Sequence, residues 1–229
     1  MPSSTNSKAA ALLDAQNKAQ ALFHEVEARK IIHPGSSEVR INDEVYALAE
    51  RMYGIKQYWH KRIVRAGSNT LLPYDDNPPD LIVKEDDVVF VDLGPVFEAW
   101  EADFGRTFVL GDDPLKHKLL RDIEAAFAQG KKYFKEQPDI TARDLYQYAQ
   151  SLATQAGWEY GGPIAGHLIG QFPHERIPGD KITYYVHPEN PNRMRQLDAS
   201  GEERHWILEI HFVDRKRQFG GFYEELLTV

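Results

Sequence analysis

The sequence predicts an α+β domain made of two similar halves, and three observations carry that prediction. First, apolar residues at helical spacing come as a pair of runs: Leu12, Ala15, Ala19, Leu22, Phe23 and Val26 precede the break HPGSS, and Ile41, Val45, Leu48 and Met52 follow it. Second, the same order returns downstream. Leu119, Ile123, Phe127, Gly130 and Phe134 precede the break QPDIT, and Leu145, Tyr148, Leu152 and Ala156 follow it. Pro34 and Pro138 hold equivalent places, which sets the repeat offset at 104 residues (138 − 34). Third, strand-like runs follow each helix pair: IVRAGS, VVFVDLG and FGRTFVL after the first, WILEIHFV and FYEELLTV after the second. Helices grouped ahead of strands, rather than alternating singly with them, imply a largely antiparallel sheet.

With 229 residues, 42% of them apolar, the chain has enough material for one substantial core. A single domain over 9–229 is expected, preceded by a flexible N-terminus at 1–8. No run reaches the ~18 apolar residues of a membrane span, and MPSSTNSKAAALLDAQNK lacks the basic-then-apolar order of a signal peptide. A cytoplasmic protein without membrane contact is expected. Zero Cys removes disulfides and thiolate metal ligands. A net charge of −8 with no long basic block argues against nucleic acid as a partner.

The strands raise a chemical question, because carboxylates interrupt them. Asp92 stands in VVFVDLG and Asp103 opens FGRTFVL. A hairpin turn centred on Phe97 and Glu98 pairs position i with 195 − i and sets Asp92 opposite Asp103, on one face of the sheet. Two bare carboxylates there repel, so either a proton is shared or a cation sits between them. A plainer alternative has Asp92 capping the turn before Gly94-Pro95 and Asp103 paired with Arg106. Further acids appear in the second half: Glu209 amid the apolar WILEIHFV, with His211 on its face, and Glu224 and Glu225 in the last strand, where alternation points one inward and one outward. His167 and His174 lie in a Gly- and Pro-rich stretch. An oxygen-rich set with one imidazole and no sulfur suits hard or borderline divalent ions such as Mn, Fe, Co or Zn, and a pair of them would need bridging carboxylates.

Taken together, VDLG with Asp92, DFGRTF with Asp103, GHLIG with His167, HERIP with His174, ILEI with Glu209 and YEELLTV with Glu224 resemble the methionine aminopeptidase, Xaa-Pro peptidase and creatinase superfamily. The resemblance covers the chain from Leu12 to Val229. It implies the pita-bread fold, in which two pseudo-symmetric αβ halves share a curved antiparallel sheet covered by helices. It also implies a dinuclear metal site: Asp92 on one ion, His167 and Glu209 on the other, Asp103 and Glu224 bridging. The family places its last ligand just before an acidic or polar residue, which selects Glu224 over Glu225. In such a site two ions bring the pKa of a shared water towards neutrality and polarise the group under attack, so a C–N bond is hydrolysed. His174 would contact the scissile group and Glu209 would handle the proton.

The substrate shell departs from the family. Tyr74, in LLPYDDNPP, stands where Xaa-Pro peptidases carry a His and is a candidate catalytic donor. Pro163 replaces a second helpful His, and the usual Glu-Pro is Glu209-Ile210. The N-terminal domain of prolidase-like enzymes is not expected here. The polar segment between His174 and Glu209, with Arg193, Arg195 and Arg204, is a candidate cover that would greet an anionic substrate. The expected function is a metal-dependent, aminopeptidase-like hydrolase of small peptides. Hydrolysis of a non-peptide C–N bond in a small molecule and a metal-free binding module are the alternatives, and a homodimer is the candidate assembly.

Overall fold

The computed structural model describes residues 4–174 and 182–228. Among these residues are four α-helices and nine strands, the two helix pairs each preceding strands as expected and four two-residue strands being additional. Helices α1 (Ser4–Ala28) and α2 (Glu38–Tyr53) precede strands β1 (Ile63–Ala66), β2 (Val88–Leu93), β3 (Val96–Phe97), β4 (Trp100–Glu101) and β5 (Phe104–Val109). Helices α3 (Pro114–Glu136) and α4 (Ala142–Ala156) precede β6 (Glu159–Tyr160), β7 (Leu168–Ile169), β8 (His205–Asp214) and β9 (Phe219–Leu226). Helix α1 thus begins inside the segment expected as a flexible terminus, while residues 1–3 lie outside those described. None of the described helices is long and apolar enough to cross a membrane.

The repeat is visible in the helix caps. Ser37 caps the N-terminus of α2 by accepting from the Arg40 amide, and Thr141, 104 positions on (141 − 37), caps α4 and forms a reciprocal box with Asp144. Both helices end on glycines in the left-handed region, Gly54 and Gly157, where a side chain would be strained.

The main sheet is antiparallel in the order β1-β2-β5-β9-β8-β6, with β7 added alongside β8. Each half supplies three neighbouring strands, and the halves meet where β5 lies against β9. Side chains alternate between the faces of a strand. Val89, Val91 and Leu93 point into the core under α1 and α2, and Leu208, Ile210 and Phe212 into the core under α3 and α4. Burying each such side chain is worth ~1.5–3 kcal/mol, so strand parity is strongly held. The alternate set, including Asp92 and Glu209, is therefore forced onto the opposite face.

Register corrects one expectation. Asp92 pairs with Gly105, and Val96 with Glu101, so partners sum to 197 and the turn falls at Glu98-Ala99. Asp103 is thereby a diagonal neighbour of Asp92 rather than its direct partner. The same row continues across the sheet: Gly105 pairs with Glu224, and Glu224 with Glu209. Three acids thus line up on one face, interrupted only by a glycine. A Cβ on Gly105 would lie 2.6 Å from the Phe222 ring and 3.1 Å from Glu224 Cβ, so the gap in the row is a packing requirement. Beyond that pair the contact of β5 with β9 is carried by side chains. Thr107 Oγ1 donates to Phe222 O (2.8 Å) and accepts from Phe222 N (2.7 Å), and Arg106 Nη1 donates to Glu224 O (2.9 Å).

Gly105→Ala is expected to lose ~1–3 kcal/mol of stability through overpacking against Phe222. Urea unfolding measures it, and a midpoint equal to wild type would mean that the contact relaxes without cost.

Candidate metal centre

The acidic row opens into a cavity of about 390 Å³ at the middle of the sheet, lined among others by Asp92, Asp103, His167, His174, Glu209 and Glu224. All six residues singled out from the motifs are therefore brought together. Asp103 lies at the centre. Its Oδ2 meets His167 Nε2 at 2.9 Å, and its Oδ1 meets the Nε2 of a second histidine, His60, at 3.1 Å. His167 Nε2 is also 3.7 Å from Glu224 Oε1, and His60 Nε2 is 3.6 Å from Asp92 Oδ1. Among the described residues, two groups hold ligand atoms mutually within 4.8 Å: His60 with Asp92 and Asp103, and Asp103 with His167 and Glu224. Glu209 stands directly across from Glu224 and lines the same cavity, but falls outside both groups.

The two plain alternatives from the sequence do not occur. Arg106 turns away from Asp103 and pairs with Glu225, which settles which of the two terminal acids points outward. Glu224 is 2% exposed.

Burial sets the charge state of the cluster. Desolvation lifts Asp92 to about 7 against the attraction of His60, and lifts Glu209 to about 8, with neighbouring Asp103 and Asp92 adding to the rise. Glu224 is raised well above the carboxylate range by burial and then by Asp103 and Asp92. Burial also works against ionised Asp103, but His60 and His167 outweigh it and hold that group below its ordinary value. Both rings respond in kind. Burial disfavours their cations, yet Asp103 and its acidic neighbours raise His60 to about 9 and His167 well above 6.5. The protein alone therefore neutralises the cluster by retaining protons. Divalent cations fit as a replacement for them: the donors are oxygens and imidazoles, and Asp92 Oδ1 is buried with no hydrogen-bond partner.

Three further residues escaped the sequence reading. His60 and Trp59 lie in the irregular segment between α2 and β1, and Trp59 packs edge-on against His60, His167 and His174 with centroids at 4.5, 5.0 and 5.2 Å. Gly94 is the one trace they leave, since a Cβ there would lie 2.1 Å from His60 Cδ2 and 2.5 Å from Trp59 Nε1. Glu101, 1% exposed, grips His174 by accepting from its backbone amide (3.0 Å) and from Nδ1 (2.8 Å). His174 is therefore held by a buried acid rather than stacked loosely on a loop.

Tyr74 sits at the cavity mouth, half exposed. Its hydroxyl accepts from the Lys61 amide (3.3 Å), and its ring is 5.9 Å from that of His60. Pro163 lines an adjoining cavity of about 450 Å³, more apolar in character, with Phe90 and Phe222. The arginines expected to greet a substrate are engaged elsewhere. Arg193 pairs with Asp139 (3.0 Å), Arg195 donates to Phe134 O and Gln137 O, and Arg204 does not line the cavity. Residues 175–181 of that polar segment lie outside those described, and among its described residues Tyr184 and Tyr185 reach the site.

Residues 10–200 match the family described as "Metallopeptidase family M24". The chain belongs to metallopeptidase family M24. Metallopeptidases of this family use divalent metal ions, and the two His/acid groups are this chain's candidates to hold them. The matched span includes Asp92, Asp103, His167 and His174 but stops short of Glu209 and Glu224, whose place in the site rests on the β8–β9 register. Among curated relatives, an Xaa-Pro dipeptidase of Pyrococcus horikoshii is 29% identical over 126 residues, covering 55% of this chain and 35% of that protein. A methionine aminopeptidase of Staphylococcus epidermidis is 28% identical over 110 residues, covering 47% and 43%. The chain thus spans well under two thirds of these relatives. Among solved M24 structures, the Xaa-Pro dipeptidase from Bacillus anthracis superposes with a TM-score of 0.74 at 20% identity, over 98% of this chain and 61% of that one. A dipeptidase from Pyrococcus horikoshii OT3 gives 0.73 at 20% identity, over 94% and 55%. The pita-bread fold with duplicated halves is common to them.

Glu101→Ala is expected to cost ~1–3 kcal/mol, because it leaves two part-buried donors of His174 without an acceptor, and Glu101→Gln is expected to cost less. Equal unfolding free energies for wild type and the alanine variant would show that these bonds contribute nothing net.

Proposed function

We propose that this chain hydrolyses the C–N bond of small peptides at a site holding two divalent ions, with Mn, Co, Fe or Zn as candidates. The observation that carries the reading is Asp103, whose two oxygens are each claimed by a different group of candidate ligands inside one cavity. Asp92, Asp103, His167, Glu209 and Glu224 would hold the ions, Asp103 being common to both groups of candidate ligands. Ions so held supply a water acidified to near neutral pH and polarise the carbonyl under attack.

The remaining steps fall to side chains. Glu209, which lines the same cavity, would take the proton of the attacking water and pass it to the leaving amine. His174, fixed through Nδ1 by Glu101, has Nε2 left to contact the scissile group. Tyr74 is placed to donate from its hydroxyl, and burial raises its pKa, which keeps the phenol protonated. Names of the relatives support a peptide substrate, and Trp59, Ile164 and Tyr185 give the cavity apolar walls to receive one. A second reading, hydrolysis of a small amide or amidine rather than a peptide, draws support from Tyr74 and Pro163 at places where the peptidases carry histidines. A metal-free binding module is disfavoured by the cost of burying so many acids for no partner.

Protein loaded with Mn, Co or Zn is expected to hold close to two ions per chain, and Asp103→Ala close to none. Linkage gives a stability gain of ~4 kcal/mol at a free-metal level 1,000-fold above the dissociation constant, seen as a higher melting temperature than after chelation. Elemental analysis finding no bound metal in wild type would sink the reading.

Against a panel of Met-Xaa, Xaa-Pro and small amide substrates, the loaded protein is expected to cleave at least one class and to lose that activity with chelator. Tyr74→Phe is expected to lower kcat by roughly 10²–10³ with metal content unchanged. Activity indifferent to that substitution would remove Tyr74 from the catalytic set.

A further inference from the structure

His60 has an internal counterpart in His167. His60 Nδ1 bonds the carbonyl of the next residue, Lys61 (2.6 Å), while Nε2 reaches Asp103 Oδ1; His167 Nδ1 bonds the carbonyl of its own next residue, Leu168 (2.9 Å), while Nε2 reaches Asp103 Oδ2. A carbonyl oxygen only accepts, so both Nδ1 atoms carry a proton, and in each neutral ring the Nε2 lone pair faces a carboxylate. That contact is repulsive unless a proton or a metal ion lies between. Histidines that ligate metals characteristically give their other ring N–H to a backbone carbonyl in this way, which fixes the tautomer. Trp59 wedges against both rings and limits their rotation. On the His60 side the third converging atom comes from Asp92, whose Oδ1 is buried and lacks a hydrogen-bond partner.

We propose that His60 is a metal ligand through Nε2, so that the centre carries one imidazole for each ion: His60 with Asp92 and Asp103 at one, His167 with Asp103, Glu209 and Glu224 at the other. The inference rests on the metal-dependent reading above and adds to it a ligand that the motifs do not contain. Its chemical consequence is selectivity, since exchanging an oxygen or water donor for imidazole moves the Asp92 ion from Mn towards Zn or Fe. A His60 that only donated to Asp103 would instead leave a single imidazole for two ions.

X-ray absorption fine structure of Co(II)-loaded wild type separates these arrangements without any substitution. About one imidazole per ion is expected, falling to about half in His60→Gln. Titration with Co(II) is expected to show one of two sites weakened by roughly 10- to 100-fold in His60→Gln, the other unchanged, while circular dichroism reports an intact fold. Two ions bound with half an imidazole each in wild type, or a His60→Gln titration matching wild type, would overturn the assignment and leave the metal centre standing. Failure of wild type to bind Co(II) would overturn both.

Discussion

Mutual repulsion among buried carboxylates governs this protein. Two like charges ~4 Å apart at an effective dielectric constant of ~20 repel by about 4 kcal/mol, and here four acids face one cavity. No arrangement of the sheet removes that cost; it can only be answered by positive charge or by protons. The fold spends two imidazoles on the answer, and the raised values of Asp92, Glu209 and Glu224 show what stays uncompensated. The demand for cations is thus written into the sheet before any ion arrives.

What makes the sheet accept such a cluster is the strength of its other face. Each strand that carries an acid also carries apolar neighbours of opposite parity, and these are locked into two cores beneath two helix pairs. Sliding a strand by one residue would free its acid but expose Val89, Val91 and Leu93, or Leu208, Ile210 and Phe212, at several kcal/mol. Packing on one side therefore holds the electrostatic strain on the other.

The parts of the molecule governed by periodicity were legible in the sequence. Helix pairs and the 104-residue repeat follow from spacing and from the breaks that hold Pro34 and Pro138, and the acids announced themselves by interrupting apolar runs. Register was less legible, because a turn shifted by one position at Glu98-Ala99 moves every partner by two, and local composition does not distinguish the two placements. His60 was invisible for a different reason. It sits in QYWHKR, where no period exists to be broken, and its contact with Asp103 spans 43 positions. Glu101 likewise carries no local signal, since its partner His174 lies 73 positions away. Arg193 and Arg195 misled through charge alone, as nothing in a sequence says which way an arginine reaches.

The junction between β5 and β9 has one more meaning. Asp92 and Asp103 belong to the first half and His167, Glu209 and Glu224 to the second, so the spacing across the centre is a distance between two bodies. At this seam they are joined at Gly105 and Glu224 and by Thr107 and Arg106 reaching over to main-chain atoms of β9, and elsewhere by main-chain bonds such as Glu101 N–H to Gly170 O. The seam works as a caliper whose jaws are the two halves and whose set-screw is Thr107. The spacing between the candidate ligands can accordingly be retuned from a hydroxyl that bonds only main-chain atoms of Phe222, with every one of those ligands left in place.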